Sequence, residues 1–194
     1  MADSTLHAAL MAWLRRTPIQ GSAPGDADDP AVVDAFLGEY LARNEAHQRE
    51  GIEQLVRAIG SADRAAITAR VETGLAATRA FLTPEDPGER RARAGLLFIE
   101  SYRELPLLAW PRLLLDTVCE LEEQLLLFRN RHARMVERTI GRRVGTGGSS
   151  GVEYLDQTAS YRVFPELWQV RSCLLPRQAL PALRGSGRYS FAVQ

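Results

Sequence analysis

One histidine of this 194-residue chain stands in a pattern that suits metal binding. In the string LFRNRHARMVERTIG, a helix would place His132 on one face with side chains three, four and seven residues away. These neighbours are mostly apolar: Leu125, Phe128, Met135, Val136 and Thr139. An imidazole on such a face is either a core histidine held by one hydrogen bond or the single axial ligand of a haem in an apolar slot. The spacing alone leaves both interpretations open.

Arginines flank this histidine along the same predicted helix, and they also have two interpretations. They are Arg129, Arg131, Arg134 and Arg138. Their guanidinium groups either form a solvated helix face or lie near the propionates of a haem.

The run GTGGSSG, residues 145–151, follows this helix and resembles several ligand-binding loops. A Walker A loop is excluded because it needs a lysine and every basic residue here is arginine. A dinucleotide fingerprint lacks its third glycine, where Ser150 stands. The pattern G-x-S-x-G around Ser149 lacks the later histidine of a hydrolase triad, because all three histidines of the chain precede it. A flexible linker and a shaped turn that holds a small polar ligand remain.

The composition narrows the class of protein. A formal net charge of +0 supplies no field for nucleic acid or an anionic membrane, and no apolar run is long enough to cross a bilayer. The first residues lack the basic and apolar regions of a signal peptide, so we expect a cytoplasmic protein. Cys119 and Cys173 have no metal-like spacing and are expected to be reduced packing residues.

Apolar residues recur at helical period along most of the chain, so the sequence predicts an all-α helical bundle in a single domain. Asp29 and Ser61 are expected to cap two helices, and Gly51 is a candidate interruption. The stretch 111–141 is the longest and most apolar and is expected at the centre of the bundle. The predicted helical stretches are 6–16, 30–59, 62–82, 91–110, 111–141, 152–160 and 164–175.

The string FRNRHARMVERTIGRRVGTGGSSGVEYLDQTASYRVFPELWQVRS resembles the C-terminal core of the tryptophan 2,3-dioxygenase family. The likeness covers residues 128–171 without gaps, in the order R-H-x-x-x-V-x-R-x-I-G, G-T-G-G-S-S-G and F-P-E-L-x-x-V-R. A looser likeness extends upstream through YRELPLLAWPRLLLDTVCELEEQLLL. On this basis residues 90–194 are expected to be the family-like haem and substrate core, and residues 1–89 a divergent set of N-terminal helices.

The resemblance implies a function and assigns residues to it. His132 falls on the proximal ligand of haem b, and Thr146, framed by Gly145 and Gly147, falls on the residue that contacts the amino-acid end of tryptophan. The family fold is an all-helical haem domain, usually a homotetramer. Its reaction inserts both atoms of O₂ across the indole C2–C3 bond of L-tryptophan to give N-formylkynurenine, in the kynurenine pathway of tryptophan catabolism. A related indole is an alternative substrate.

The chain departs from the family pattern on the distal side of the haem. The family has a histidine in an H-Q-x-x-E-L-W-like string, and a later tyrosine and arginine that clamp the substrate carboxylate. Here AHQREGIEQL around His47 has the H-Q pair without the E-L-W, so His47 is either a distal residue or an exposed helix residue. Three expectations follow: a truncated reading frame, a diverged haem mono-oxygenase or peroxygenase acting on another aromatic, or a non-catalytic haem-binding protein.

Overall fold

The computed structural model of the chain describes residues 4–22, 30–59, 64–141 and 151–191. Every regular element in these ranges is helical, which confirms the predicted all-α class. The α-helices are α1 Thr5–Leu14, α2 Pro30–Ile59, α3 Arg64–Leu82, α4 Pro87–Ser101, α5 Ala109–Ile140, α6 Gly151–Ala159 and α7 Pro165–Gln169. A short 3₁₀ helix lies between α4 and α5 at Pro106–Leu108, and three more follow α7 at Val170–Cys173, Arg177–Ala179 and Ser186–Tyr189.

Local capping explains where two of these helices begin. The Ser4 hydroxyl accepts a hydrogen bond from the His7 backbone N–H at the start of α1, at 3.5 Å. Asp86 caps α4 in the same way, with Glu89 N–H 2.6 Å from its carboxylate and a proline at the first helical position. The predicted interruption at Gly51 is wrong, because α2 continues through it. The predicted caps Asp29 and Ser61 lie outside the described residues.

Helix α4 is the most deeply buried element of the fold. Every residue from 94 to 100 is buried, and its Phe98 ring packs against Phe36 and Tyr102 with centroids 5.7 and 4.7 Å apart. Gly95 permits the close approach of α1, since a Cβ at this position would lie inside van der Waals contact of the Leu14 carbonyl oxygen. In α5, by contrast, the buried residues are Leu115, Glu122 and Ala133, so the expectation that residues 111–141 form the centre of the bundle is wrong.

Contacts divide the chain into two compact units. The first unit comprises residues 1–112 and 166–194, and the second comprises residues 113–165. The first unit holds α1 to α4 and the C-terminal turns, whereas the second holds most of α5 and all of α6. Among the described helices, none combines the length and apolar character that a membrane span requires.

Candidate functional site

His132 lies in the second unit on α5 and is half-buried. Its ring stacks on Phe128, one helical turn earlier, with centroids 5.9 Å apart and planes 11° from parallel. Within the described ranges, neither ring nitrogen has a hydrogen-bond partner. The described residues therefore do not supply the hydrogen bond that a core histidine needs, and a ring nitrogen remains available to a ligand.

An exposed apolar stripe runs along α5 beside this imidazole. Leu121, Phe128 and Met135 stand seven residues apart, and their exposed fractions are 45%, 64% and 57%. At roughly 100° per residue, these three side chains fall within a sector of about 40°, and His132 lies about 40° from Phe128. The imidazole thus borders an apolar surface that the chain leaves open to a ligand or partner.

Arginines form the opposite border of the stripe. Arg131, Arg134 and Arg138 line a shallow groove on α5 together with Met135 and Thr139. The Arg134 guanidinium is already engaged, because it forms ion pairs with Glu137 and with a carboxylate on α6. In the described part of the chain, Arg131 and Arg138 form no ion pair and remain available to an anion.

Arg129, the fourth arginine near His132 in the sequence, has a structural role. The Arg129 guanidinium donates a hydrogen bond to the Tyr161 carbonyl oxygen at 2.6 Å and lies 5.7 Å from the centre of the Tyr161 ring. It thereby ties α5 to the turn that follows α6 in the same unit. Its expected alternative role, facing a propionate, is not needed to explain its position.

A buried carboxylate fixes the same turn more firmly. The Glu122 side chain is 1% exposed and accepts hydrogen bonds from the backbone N–H groups of Val163 and Phe164, the second at 2.8 Å. Charge-assisted bonds of this kind are stronger than neutral ones. The segment that precedes α7 is therefore held against α5 by a residue that sequence motifs did not identify.

The predicted substrate loop connects α5 to α6. Helix α5 ends at Ile140, and Gly141 adopts a left-handed conformation with a φ of 65°. The predicted substrate contacts Thr146, Gly145 and Gly147 come four to six residues later in the sequence and lie outside the described residues. What the structure describes is the pair of helix ends that bracket them, with the Arg134 to Asp156 ion pair joining α5 and α6.

The other two histidines lie in the first unit. His47, the weak candidate for a distal residue, is half-buried on α2. The Nε2 atom of His7 lies 2.9 Å from an oxygen of Glu166, the acid of the F-P-E-L motif. Because 159 residues separate the two partners, no local pattern indicated this pair.

Comparison with known proteins connects this site to a family. The profile of tryptophan 2,3-dioxygenase matches residues 2–174. A tryptophan 2,3-dioxygenase-like protein of Xanthomonas campestris pv. campestris (strain 8004) is 48% identical over 191 residues, which are 94% of this chain and 69% of that protein. The match therefore extends well upstream of the motifs around His132.

Two further relatives carry the enzyme's name without qualification. Tryptophan 2,3-dioxygenase 2 of Ralstonia nicotianae is 48% identical over 97% of this chain and 53% of its own length. Tryptophan 2,3-dioxygenase of Sorangium cellulosum is 47% identical over 94% of this chain and 46% of its own length. The chain thus spans about half the length of these two relatives. From the profile match and these identities, the chain belongs to the tryptophan 2,3-dioxygenase family.

Proposed function

We propose that this chain is a haem-dependent dioxygenase in which His132 is the axial ligand of haem b. Its substrates are L-tryptophan, or a related indole, and O₂, and its product is N-formylkynurenine or the corresponding ring-opened compound. The observation that carries this proposal is a histidine without a hydrogen-bond partner in the described residues, beside an exposed apolar stripe, in a member of an oxidoreductase family.

The described residues fit a haem by their chemistry. One imidazole nitrogen is sufficient as the protein's ligand to the iron, and methionine, aromatic and aliphatic side chains suit the faces of a porphyrin. Phe128 and Met135, the stripe residues within one turn of His132, supply such a surface. The Arg131 and Arg138 guanidinium groups supply positive charge for propionates.

The residues of the chain would divide the work of the reaction. When bound, haem would supply the iron chemistry that activates O₂ toward the indole ring. His132 would hold the group in place through its imidazole, and the apolar stripe would limit the access of water. Thr146, on its glycine-framed turn, would bind the ammonium and carboxylate end of the substrate and so orient the ring.

Haem binding is the first test. The full chain is expressed with haem and its Soret band is compared with those of His132→Ala and His47→Ala, the second being a matched loss of a half-buried helical histidine. We expect His132→Ala to lose most of the band at equal haem concentration and His47→Ala to keep it. Equal haem affinity in wild type and His132→Ala would overturn the axial assignment.

Turnover is the second test. The reduced, haem-loaded chain is mixed with L-tryptophan and O₂, and N-formylkynurenine is followed by mass spectrometry. Thr146→Ala is expected to raise KM by about tenfold, the loss of roughly one strong hydrogen bond to a charged group. Haem binding without any product from tryptophan would refute the dioxygenase assignment and favour the non-catalytic haem-binding alternative.

We also propose that the active form is a homo-oligomer. The support is the same exposed stripe on α5, which runs from Leu121 to Met135 over about 21 Å of the helix axis and extends well beyond the neighbourhood of the imidazole. Sedimentation velocity of the haem-loaded chain tests this proposal. A single monomeric species at all concentrations would refute it.

A further inference from the structure

A groove of about 740 Å³ lies in the first unit between α2, α3 and the Val170–Cys173 turn. One wall is α3, whose Arg70, Gly74 and Thr78 are spaced by four residues and therefore share a face. Val71 and Leu75 add an apolar portion to this wall. The groove is therefore amphipathic, with polar groups along one line and aliphatic groups beside them.

A buried polar side chain of α2 also lines this groove. Asn44 is only 4% exposed, yet its amide has no hydrogen-bond partner among the described residues. In the described residues, the buried side-chain atoms that lack a partner do not include those of Asn44, so its amide reaches the solvent of the groove, where water or a ligand can bond to it. The Asn44 amide thus offers a donor and an acceptor to whatever occupies the groove.

The charges around the groove have one sign. None of the described residues that line the groove is Asp or Glu, whereas two of them, Arg70 and Arg93, are arginines. The charge of the Arg93 guanidinium is balanced by its pair with Glu89, and the group donates to the Phe81 carbonyl oxygen at 2.6 Å, while its buried Nε has no hydrogen-bond partner in the described residues. Arg70 is exposed and forms no ion pair within the described ranges, so it is the cation available to an incoming anion.

The thiol beside the groove does not provide covalent chemistry. Cys173 is buried, and burial raises the pKa of its thiol despite the hydrogen bond from the Thr78 side chain. The thiol is therefore protonated near neutral pH and behaves as a packing group. The chemistry left to the groove is reversible binding.

From this arrangement we infer that the groove binds a small amphipathic carboxylic acid. Arg70 and the Asn44 amide receive the carboxylate, and Val71 and Leu75 contact the apolar part. A single available guanidinium suits one negative charge, whereas a phosphate dianion would call for more cations. This inference does not rest on the proposed haem function, because binding is measured without haem.

A matched pair of probes tests the charge requirement. Binding of 4-phenylbutyrate and of its neutral analogue 4-phenylbutan-1-ol to the full, haem-free chain is measured by isothermal titration calorimetry. We expect the acid to bind at least about tenfold more tightly than the alcohol, the worth of one charge-assisted hydrogen bond. Equal affinities, or no binding of the acid up to about 10 mM, would overturn the inference.

Arginine variants test which side chain binds the carboxylate of the acid. Arg70→Gln is expected to weaken binding of the acid by about tenfold and to leave the affinity for the alcohol unchanged. Arg64→Gln removes an exposed arginine from the same helix outside the groove, and it should change neither affinity. An acid affinity that falls equally in both variants would indicate general electrostatic attraction and refute the site.

Glycine variants test whether the acid binds inside the groove, and they do so without disturbing the fold. A Cβ at Gly74 would meet no heavy atom within 4 Å, so Gly74→Leu can enter the groove and fill it while α3 gains a better helix former. Gly51→Leu is the control, because it has the same open surroundings on α2 and does not line the groove. We expect Gly74→Leu to abolish binding of the acid and Gly51→Leu to retain it. Retained binding in Gly74→Leu would contradict the proposal.

Discussion

The large apolar side chains of α2 and α4 in the first unit and those of α5 in the second unit differ in their exposure. In the first unit Phe36, Tyr40 and Phe98 are at most 2% exposed, whereas in the second Phe128 and Met135 are more than half exposed. The core of the first unit is closed by its own packing, although Leu6, Trp110 and Phe191 at its surface are more than 60% exposed. The second presents its apolar surface, and the histidine of the proposed haem site lies on that surface. The two units therefore differ in what their large apolar side chains meet: in the core of the first they meet each other, whereas on α5 of the second they meet solvent.

The substitution with the largest expected effect tests how closely α1 and α4 pack in the first unit. Gly95→Ala places a methyl group against the Leu14 backbone at the crossing of α1 and α4, where neither chain segment has a flexible end that can move aside. We expect a loss of about 3 kcal/mol in the free energy of unfolding, measured by urea titration with circular dichroism. Gly38→Ala on α2 is the control, since a Cβ there has open space, and it should be neutral or stabilising. Similar stabilities for the two variants would show that α1 and α4 do not pack closely.

A second substitution tests the internal anchor of the second unit. Glu122→Leu is of roughly similar size but leaves the N–H groups of Val163 and Phe164 without their acceptor, which should cost about 2–3 kcal/mol. Glu122→Gln retains an acceptor oxygen and should cost clearly less. Amide hydrogen exchange at 163 and 164 is the measurement. Unchanged protection in Glu122→Leu would show that the carboxylate does not hold this turn.

A hydroxyl in the first unit provides the corresponding test there. Tyr40 donates to the Cys173 carbonyl oxygen and accepts from the Leu175 N–H, both at 3.0 Å. Burial raises the pKa of this phenol, so it remains a donor across the neutral range. Tyr40→Phe removes only the oxygen and should cost about 1–2 kcal/mol in the free energy of unfolding. A neutral Tyr40→Phe variant would contradict the role of this bridge.

The sequence predicted the helices well because their periodicity is local. The long helices α2 and α5 begin and end within two residues of the predicted stretches, and the face of α5 that carries His132 follows from spacing alone. Periodicity reports an apolar face but not what covers it. For that reason α5 was expected at the centre, although α4 is the buried helix.

Contacts between distant residues left no local signal. The His7 to Glu166 pair and the Glu122 anchor join residues that are 159 and 41 or 42 positions apart, and neither could be inferred from one sequence. The groove lined by Asn44 likewise needs α2 and α3 to meet. The assignment of Thr146 came from family resemblance alone and stays a prediction.

The smallest expected effect on stability gives the sharpest test of the exposed stripe. Leu121 is 45% exposed and lies eleven residues before His132, roughly 16 Å along the helix axis. If the stripe is a surface for a second copy of the chain, Leu121→Gln should change the free energy of unfolding of the monomer by less than about 0.5 kcal/mol, because no internal packing is lost. The same variant should weaken self-association in sedimentation velocity and leave the Soret band intact, since the imidazole is untouched. Glu120→Gln, the exposed neighbour on another face, is the control and should leave both properties unchanged. Destabilisation of the monomer by Leu121→Gln would instead mean that the second unit covers this surface itself, and the contrast between the two units would then disappear.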